Sequence, residues 1–283
     1  MKLKVSYEES KHWRHIQNKK VILTIYLVLR ILVVATMVAQ FFNGNYENVM
    51  LCVLTLVLFM LPSFCERRLH IDLPDTLEVI VLLFIFSAEI LGEIQEFYIL
   101  IPGWDTVLHT LNGFLCAAIG FSIVNILNGD KHTSMHLSPF YMAVTAFCFS
   151  MTIGILWEFF EWGMDNFAGL DMQKDTVLTG FNTVMLDPQG RNVAYHVRNV
   201  TDTILVFADG STMSMGLGGY LDIGLMDTMK DLLVNLIGAV VFSFFGYFYV
   251  KSKGKGKVAR NFIPNVLEHP VKDAENPEKT EEK

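Results

Sequence analysis

Acidic residues set beside a histidine inside otherwise apolar sequence mark where this chain could do chemistry. Asp105 and His109 stand i,i+4 at the start of one apolar stretch. Glu158, Glu161 and Asp165 close another, and Asp227, Asp231 and Asn235 form an i,i+4,i+8 stripe that opens a third. Side chains three or four apart share a helix face, where like charges repel unless protonated, hydrated or bound to a cation. One imidazole with several carboxylates is a donor set for Zn, Mn, Fe or Mg. On this reading Asp105, His109, Glu158 and Asp227 are candidate ligands of a divalent metal. Glu161 and Asp231 are candidate catalytic carboxylates: Glu161 as general base toward a bound water, Asp231 as a stabiliser or further ligand. A protonated carboxylate network holding internal water accounts for the same residues without a metal. No HExxH motif occurs, so the pattern is not that of a zincin.

These residues need elements to carry them, and composition says which. A mean hydropathy of +0.39 with 52% hydrophobic residues over 283 positions is too apolar for a soluble domain. The apolar residues fall into six blocks at 21–42, 48–64, 74–92, 104–127, 138–162 and 226–250. Each approaches or exceeds the ~17–25 residues that cross a hydrocarbon core, the third only with its flanking turns. The expected fold is an all-α, polytopic bundle of about six transmembrane helices. The first block exceeds the ~7–15 apolar residues of a signal-peptide core, so it reads as a span.

The net charge of −7 matters less than where Lys and Arg lie. They crowd before the first block, between the second and third (Arg67, Arg68), between the fourth and fifth (Lys131), and after the sixth. The alternate connections hold only Lys174, Arg191 and Arg198. Six spans with both termini cytoplasmic satisfy this asymmetry at every loop. Alternating directions then bring Asp105, His109, Glu158, Glu161, Asp227 and Asp231 to the outer leaflet, with Glu89 near the outer end of the third helix. Trp104, Trp157 and Trp162 flank the acids, as interfacial tryptophans do.

Acids near helix ends often face water, and Asp165, Asp222 and Asp227 are the best candidates for that role. His109, Asp231 and Asn235 lie deeper. A buried Asp costs roughly 2.5–3.5 kcal/mol at mid-helix on insertion scales, so a partner is expected, and Arg30 is the candidate for Asp231. Gly113, Ala117, Ala118, Gly120, Gly238 and Ala239 read as close helix packing. Cys52, Cys65, Cys116 and Cys148 show no CxxC spacing and read as small buried hydrophobes. His70, His132, His136, His196 and His269 read as surface residues.

Outside the spans, 1–20 is a basic cytoplasmic leader and 251–283 a Lys/Glu/Pro-rich tail with the composition of disorder. The insert at 166–225 is extracytoplasmic and carries two hairpin signals. In one, 181–186 and 191–197 flank Asp187-Pro188-Gln189-Gly190; in the other, 203–207 and 212–215 flank Ala208-Asp209-Gly210-Ser211. The glycines of 216–219 read as a flexible return. No nucleic-acid patch, phosphate loop or dinucleotide fingerprint is present.

The segments GWDTVLHTLNGF (103–114), WEFFEWGMD (157–165), GLDMQKD (169–175) and DTMKDLLVNLIGA (227–239) resemble the YjdF-like family of bacterial inner-membrane proteins, and more loosely VanZ-like proteins. The resemblance singles out Asp105, His109, Glu158, Glu161, Asp227 and Asp231. It implies a multi-pass protein of the bacterial cytoplasmic membrane and supplies no reaction. Three functions fit: processing of a lipid or lipid-linked envelope molecule at the outer leaflet with a divalent metal, ion- or proton-coupled transport, and a non-catalytic membrane factor. The expected partners are membrane lipids and a lipid-like substrate. No inverted repeat supports transport.

Overall fold

The computed structural model describes residues 2–69, 71–129, 136–254, 259, 261–263 and 265–266. Most of the expected tail, together with Lys131, His70, His132 and His269, lies outside the described residues. The chain divides into two compact units, Met1–Phe97 with Asn125–His136 and Ser252–Lys283, and Tyr98–Val124 with Leu137–Lys251.

In the first unit, α1 (Lys2–Phe42) runs unbroken through both the leader and the first apolar block. Asn45 caps α2 (Tyr46–Leu58) by accepting from Asn48 N–H, and α3 (Leu61–Leu69) follows after a short turn. Strand β1 (Ile71–Asp72) precedes α4 (Asp75–Phe86), which starts directly after Pro74 and carries Asp75 and Glu78 in its first turn. A π-helical stretch, Ser87–Ile94, continues it, followed by the single turn α5 (Phe97–Leu100). The core of this unit joins Leu29 and Val33 of α1, Cys52 and Phe59, and Leu82, Ile85, Ile90 and Ile94. Arg30 donates to the Tyr26 hydroxyl one turn earlier, with its guanidinium 4.2 Å from the centre of that ring.

The second unit is built on α6 (Trp104–Gly129), α7 (Pro139–Gly163) and α8 (Leu225–Lys251). Ser138 caps α7 at Tyr141 N–H with Pro139 in its first turn, and a π-turn, Met164–Ala168, ends it at Gly169 (φ +70°). Helices α6 and α8 meet where glycine lets backbones touch. A Cβ on Gly113 would lie 2.0 Å from the Asn235 carbonyl oxygen, and one on Gly238 would lie 2.0 Å from that of Thr110. Ser150 of α7 donates to the Gly113 carbonyl at 2.7 Å. Ala117, Ala118 and Ala239 are fully buried, so the small-residue stripe does pack helices. Below the crossing, Phe242 meets Phe114 and Phe121 edge-on. Phe159, Val107 and Leu233 stay exposed on the outside, where a bilayer leaves apolar side chains at no cost.

Among the described residues, five helices are long and apolar enough to cross a membrane: Lys20–Phe42, Tyr46–Arg67, Trp104–Asn128, Pro139–Ala168 and Leu225–Lys251. The expected third span is helical from Asp75 on, but with Asp75, Glu78 and Glu89 inside it, it does not belong to that set. The cysteines are less uniform than expected: Cys52 is buried, Cys65 and Cys116 are half-buried and Cys148 is exposed.

Between α7 and α8 the insert forms three antiparallel strand pairs. Both expected hairpins are present, β3 (Phe181–Thr183) with β4 (Tyr195–Val197) and β5 (Ile204–Val206) with β6 (Thr212–Ser214). An unanticipated pair, β2 (Val177–Leu178) with β7 (Tyr220–Leu221), closes the base. The return through Gly216–Gly219 is held rather than loose. Thr203 donates to the Gly219 carbonyl at 3.0 Å, and a Cβ on Gly219 would lie 2.6 Å from the Leu178 oxygen. A last strand, β8 (Asn265–Val266), pairs with β1 in the first unit.

Candidate polar site at one end of the three-helix unit

Because α7 runs against α6 and α8, the last turns of α7 meet the first turns of the other two. His109, on the first turns of α6, is the centre of what collects there. Its Nε2 lies 3.2 Å from Asp105 Oδ1 and 4.0 Å from Asp231 Oδ2, while Nδ1 lies 3.9 Å from Glu158 Oε1. The three expected elements thus each deliver a carboxylate to one imidazole. Asp231 is 1% exposed and Glu158 4%. Asp231 Oδ1 and Glu158 Oε2 are buried with no hydrogen-bond partner among the described residues. Such oxygens are costly at membrane depth unless something positive or hydrogen-bonding reaches them.

The cation beside these acids is Lys230, which the sequence reading passed over. Its ammonium is 3.2 Å from Asp105 Oδ2, 3.6 Å from Asp227 Oδ1 and 3.7 Å from Asp231 Oδ1. Half exposed, it reaches over the end of the site from α8, as a snorkelling lysine does. The available signal was a lysine inside an acidic i,i+4 stripe.

Glu161 is buried too, and its Oε1 accepts the indole N–H of Trp157 at 2.9 Å. That bond fixes one oxygen of the proposed base. One turn deeper than His109, Asn112 donates to Asn235 Oδ1 at 3.2 Å, and Cys116 donates to Asn112 Oδ1 at 3.4 Å. Of the described residues, Asp105, His109 and Asp231 each offer one ligand atom lying within 4.8 Å of the others, close enough for one cation.

The acids expected to face water do something else. Asp165 accepts the backbone amides of Met172 and Gln173 at 2.5 and 2.9 Å. Asp227 accepts that of Lys174 at 2.9 Å. Asp222, 5% exposed, accepts from Thr176 and Met226 at 2.8 Å and from Gly224 at 3.3 Å. Gln173 adds a side-chain bond to Thr228. Segment 172–176 is a strap across the ends of α7 and α8, and these carboxylates fasten it. Carboxylates take such roles because two oxygens can collect several amides that a loop would otherwise leave unmet. Asp227 faces both ways, since its other oxygen meets Lys230.

Residues 25–252, which include every one of these side chains, match a family described as predicted membrane protein (DUF2238). The chain belongs to the DUF2238 family. No curated protein and no solved structure matches it. For this DUF2238 protein, function must be argued from the site itself.

Proposed function

We propose that this DUF2238 protein binds a divalent cation through Asp105, His109 and Asp231, with Glu158 beside them, and processes a lipid or lipid-linked envelope molecule at the outer leaflet. The observation that carries the reading is a pair of buried carboxylates, Asp231 and Glu158, each facing one imidazole with one oxygen and leaving the other without a hydrogen bond, although the Lys230 ammonium lies 3.7 Å from Asp231 Oδ1. Five carboxylates stand here against one lysine and one histidine, so the site favours positive charge. A divalent cation meets that demand with the donor set at hand. It supplies Lewis acidity toward water or a phosphoryl or carbonyl oxygen. Glu161, oriented by Trp157, would be the base for a water that the cation polarises. Asp227 serves at the rim. The likeness to the YjdF-like proteins, and the looser one to VanZ-like proteins, supports a bacterial cytoplasmic membrane as the setting, and the placement of Lys and Arg supports both termini inside.

A transport pathway is the weaker reading. Below Asn235 the buried face of α8 carries Gly238, Ala239 and Phe242, and the Phe242–Phe114–Phe121 cluster continues it with aromatic rings. Ser243 beyond adds a hydroxyl and no charge. A polar stripe that runs into packed phenylalanine is shaped as a pocket more than a conduit.

Elemental analysis of the purified protein beside His109→Ala tests the proposal. The expected result is one divalent metal per chain in the wild type and none in the variant. Equal metal content in both, or none in either, would overturn it.

A further inference from the structure

The same end of the three-helix unit carries a second feature that the polar site does not use. A groove of about 330 Å³, within the roughly 300–1,000 Å³ range of ligand pockets, lies between α6 and α7. Ile153, Leu156, Trp157 and Phe160 line it from α7 at i, i+3, i+4 and i+7, and Asn112 lines it from α6. Leu156, Trp157 and Phe160 are each 42–55% exposed, and all four sit within the candidate span Pro139–Ala168. Whatever fills a groove at that depth is drawn from hydrocarbon.

We infer that this groove holds the hydrocarbon chain of the molecule whose polar head enters the Asp105–His109–Asp231 site. The inference rests on the proposed function for the identity of the head, and on separate geometry for the chain. Two hydrogen bonds tie groove to site. Trp157 belongs to the lining and donates to Glu161 at 2.9 Å; Asn112 belongs to the lining and donates to Asn235, one turn from Asp231. The order of polarity also fits. Trp157 and Phe160 stand level with Glu158 and Glu161, the Asn112 amide lies one turn deeper than His109, and Leu156 and Ile153 carry the apolar lining further from the helix ends, the four α7 side chains spanning about 10 Å at 1.5 Å per residue. A leaflet lipid has the same sequence of head, linkage and tail along the membrane normal. A soluble substrate would leave this lining unused.

Photo-crosslinking tests it. Full-length protein is reconstituted in phosphatidylcholine vesicles containing phosphatidylcholine with a diazirine in its acyl chain, and adducts are mapped by peptide mass spectrometry. Adducts are expected on 153–160 in several-fold excess over Phe244 and Phe248 of α8, which are also exposed. Ile153→Trp, which fills the groove, should lower the 153–160 adducts several-fold, while Ile153→Ala should keep them. Equal labelling of both helices, or labelling indifferent to Ile153→Trp, overturns the inference. Metal content measured on the same samples separates the two claims. Groove-specific adducts on metal-free protein support the chain site and remove the metal centre, whereas metal without groove-specific adducts does the reverse.

Discussion

Asp227 and Asp231 stand one turn apart on α8 with identical side chains, yet their surroundings differ in kind. Asp227, like Asp165 and Asp222, belongs to a rim where carboxylates collect backbone amides of the strap at 172–176. Asp231, like Glu158, lies deeper; each faces His109 with one oxygen and leaves the other without a hydrogen bond, Asp231 Oδ1 having the Lys230 ammonium at 3.7 Å. A rim acid has its donors built into the chain and therefore acts as a fastening. A deep acid has a charge without enough protein donors, an arrangement that lowers stability and is retained where the missing partner comes from outside. Depth alone does not separate the groups, because Asp222 is almost as buried as Glu158. What separates them is which atoms face them.

The largest effect is expected from a change that removes both regions together. Gly238→Ala pushes a methyl group to 2.0 Å from the Thr110 carbonyl oxygen, a backbone atom that cannot step aside without moving α6. The cost should reach or pass the upper end of the roughly 1–3 kcal/mol typical of overpacking. Thermal unfolding in detergent should show a fall of many degrees, with loss of any bound metal. Gly163→Ala is the control, since its Cβ would find its nearest neighbour at 4.0 Å, and it should be neutral or slightly stabilising. If the two variants behave alike, the α6–α8 crossing is not what positions the site.

The next prediction sets one acid of each kind against the other. Asp222→Ala strips the acceptor from three backbone amides and should destabilise by roughly 1–3 kcal/mol while leaving metal content unchanged. Asp231→Asn should do the opposite. It removes a buried charge, so chelator-treated protein should be as stable as the wild type or more so, and metal should be lost. Thermal melts paired with elemental analysis check both. A destabilised Asp231→Asn that keeps its metal would make the deep acids structural and erase the distinction.

Sequence reached parts of this and missed others for physical reasons. The hairpins were legible because an Asp-Gly pair or a Pro-containing turn is a local instruction, read within a few residues. The convergence of Asp105, His109, Glu158 and Asp231 was legible because helix periodicity and alternating direction determine it together. The roles of Asp165, Asp222 and Asp227 were not legible, since their partners are backbone amides, which look the same at every position of a sequence. Lys230 was missed because a lone lysine at a helix start usually faces solvent. Pair β2–β7 was missed because two-residue strands far apart in the chain carry no pattern of their own. The Arg30–Tyr26 bond was missed because charge complementarity across a sequence says nothing of a tyrosine hydroxyl one turn away.

The smallest effect expected concerns acids outside the membrane, where the rim logic recurs in water. Asp187 accepts the amides of Gln189, Arg191 and Val193; Asp209 accepts from Ser211; Asp202 accepts from Ser214 and from Gly216 N–H. These bonds favour the ionised form and hold all three carboxyls below the usual aspartate range, the Gln189 amide leading for Asp187, the Ser211 hydroxyl for Asp209 and the Ser214 hydroxyl for Asp202. A depressed folded value gives stability that is present above the unfolded value of about 3.9 and lost as pH falls through the folded one. Hairpins β3–β4 and β5–β6 should therefore keep their protection at neutral pH and lose it below about pH 4. Hydrogen exchange at the amides of Arg191, Ser211 and Gly216, corrected for intrinsic rate, reads this directly. Protection unchanged between pH 6 and pH 2.5 would mean that turn geometry alone holds these hairpins. The rim carboxylates would then need their own test before being credited with fastening the strap.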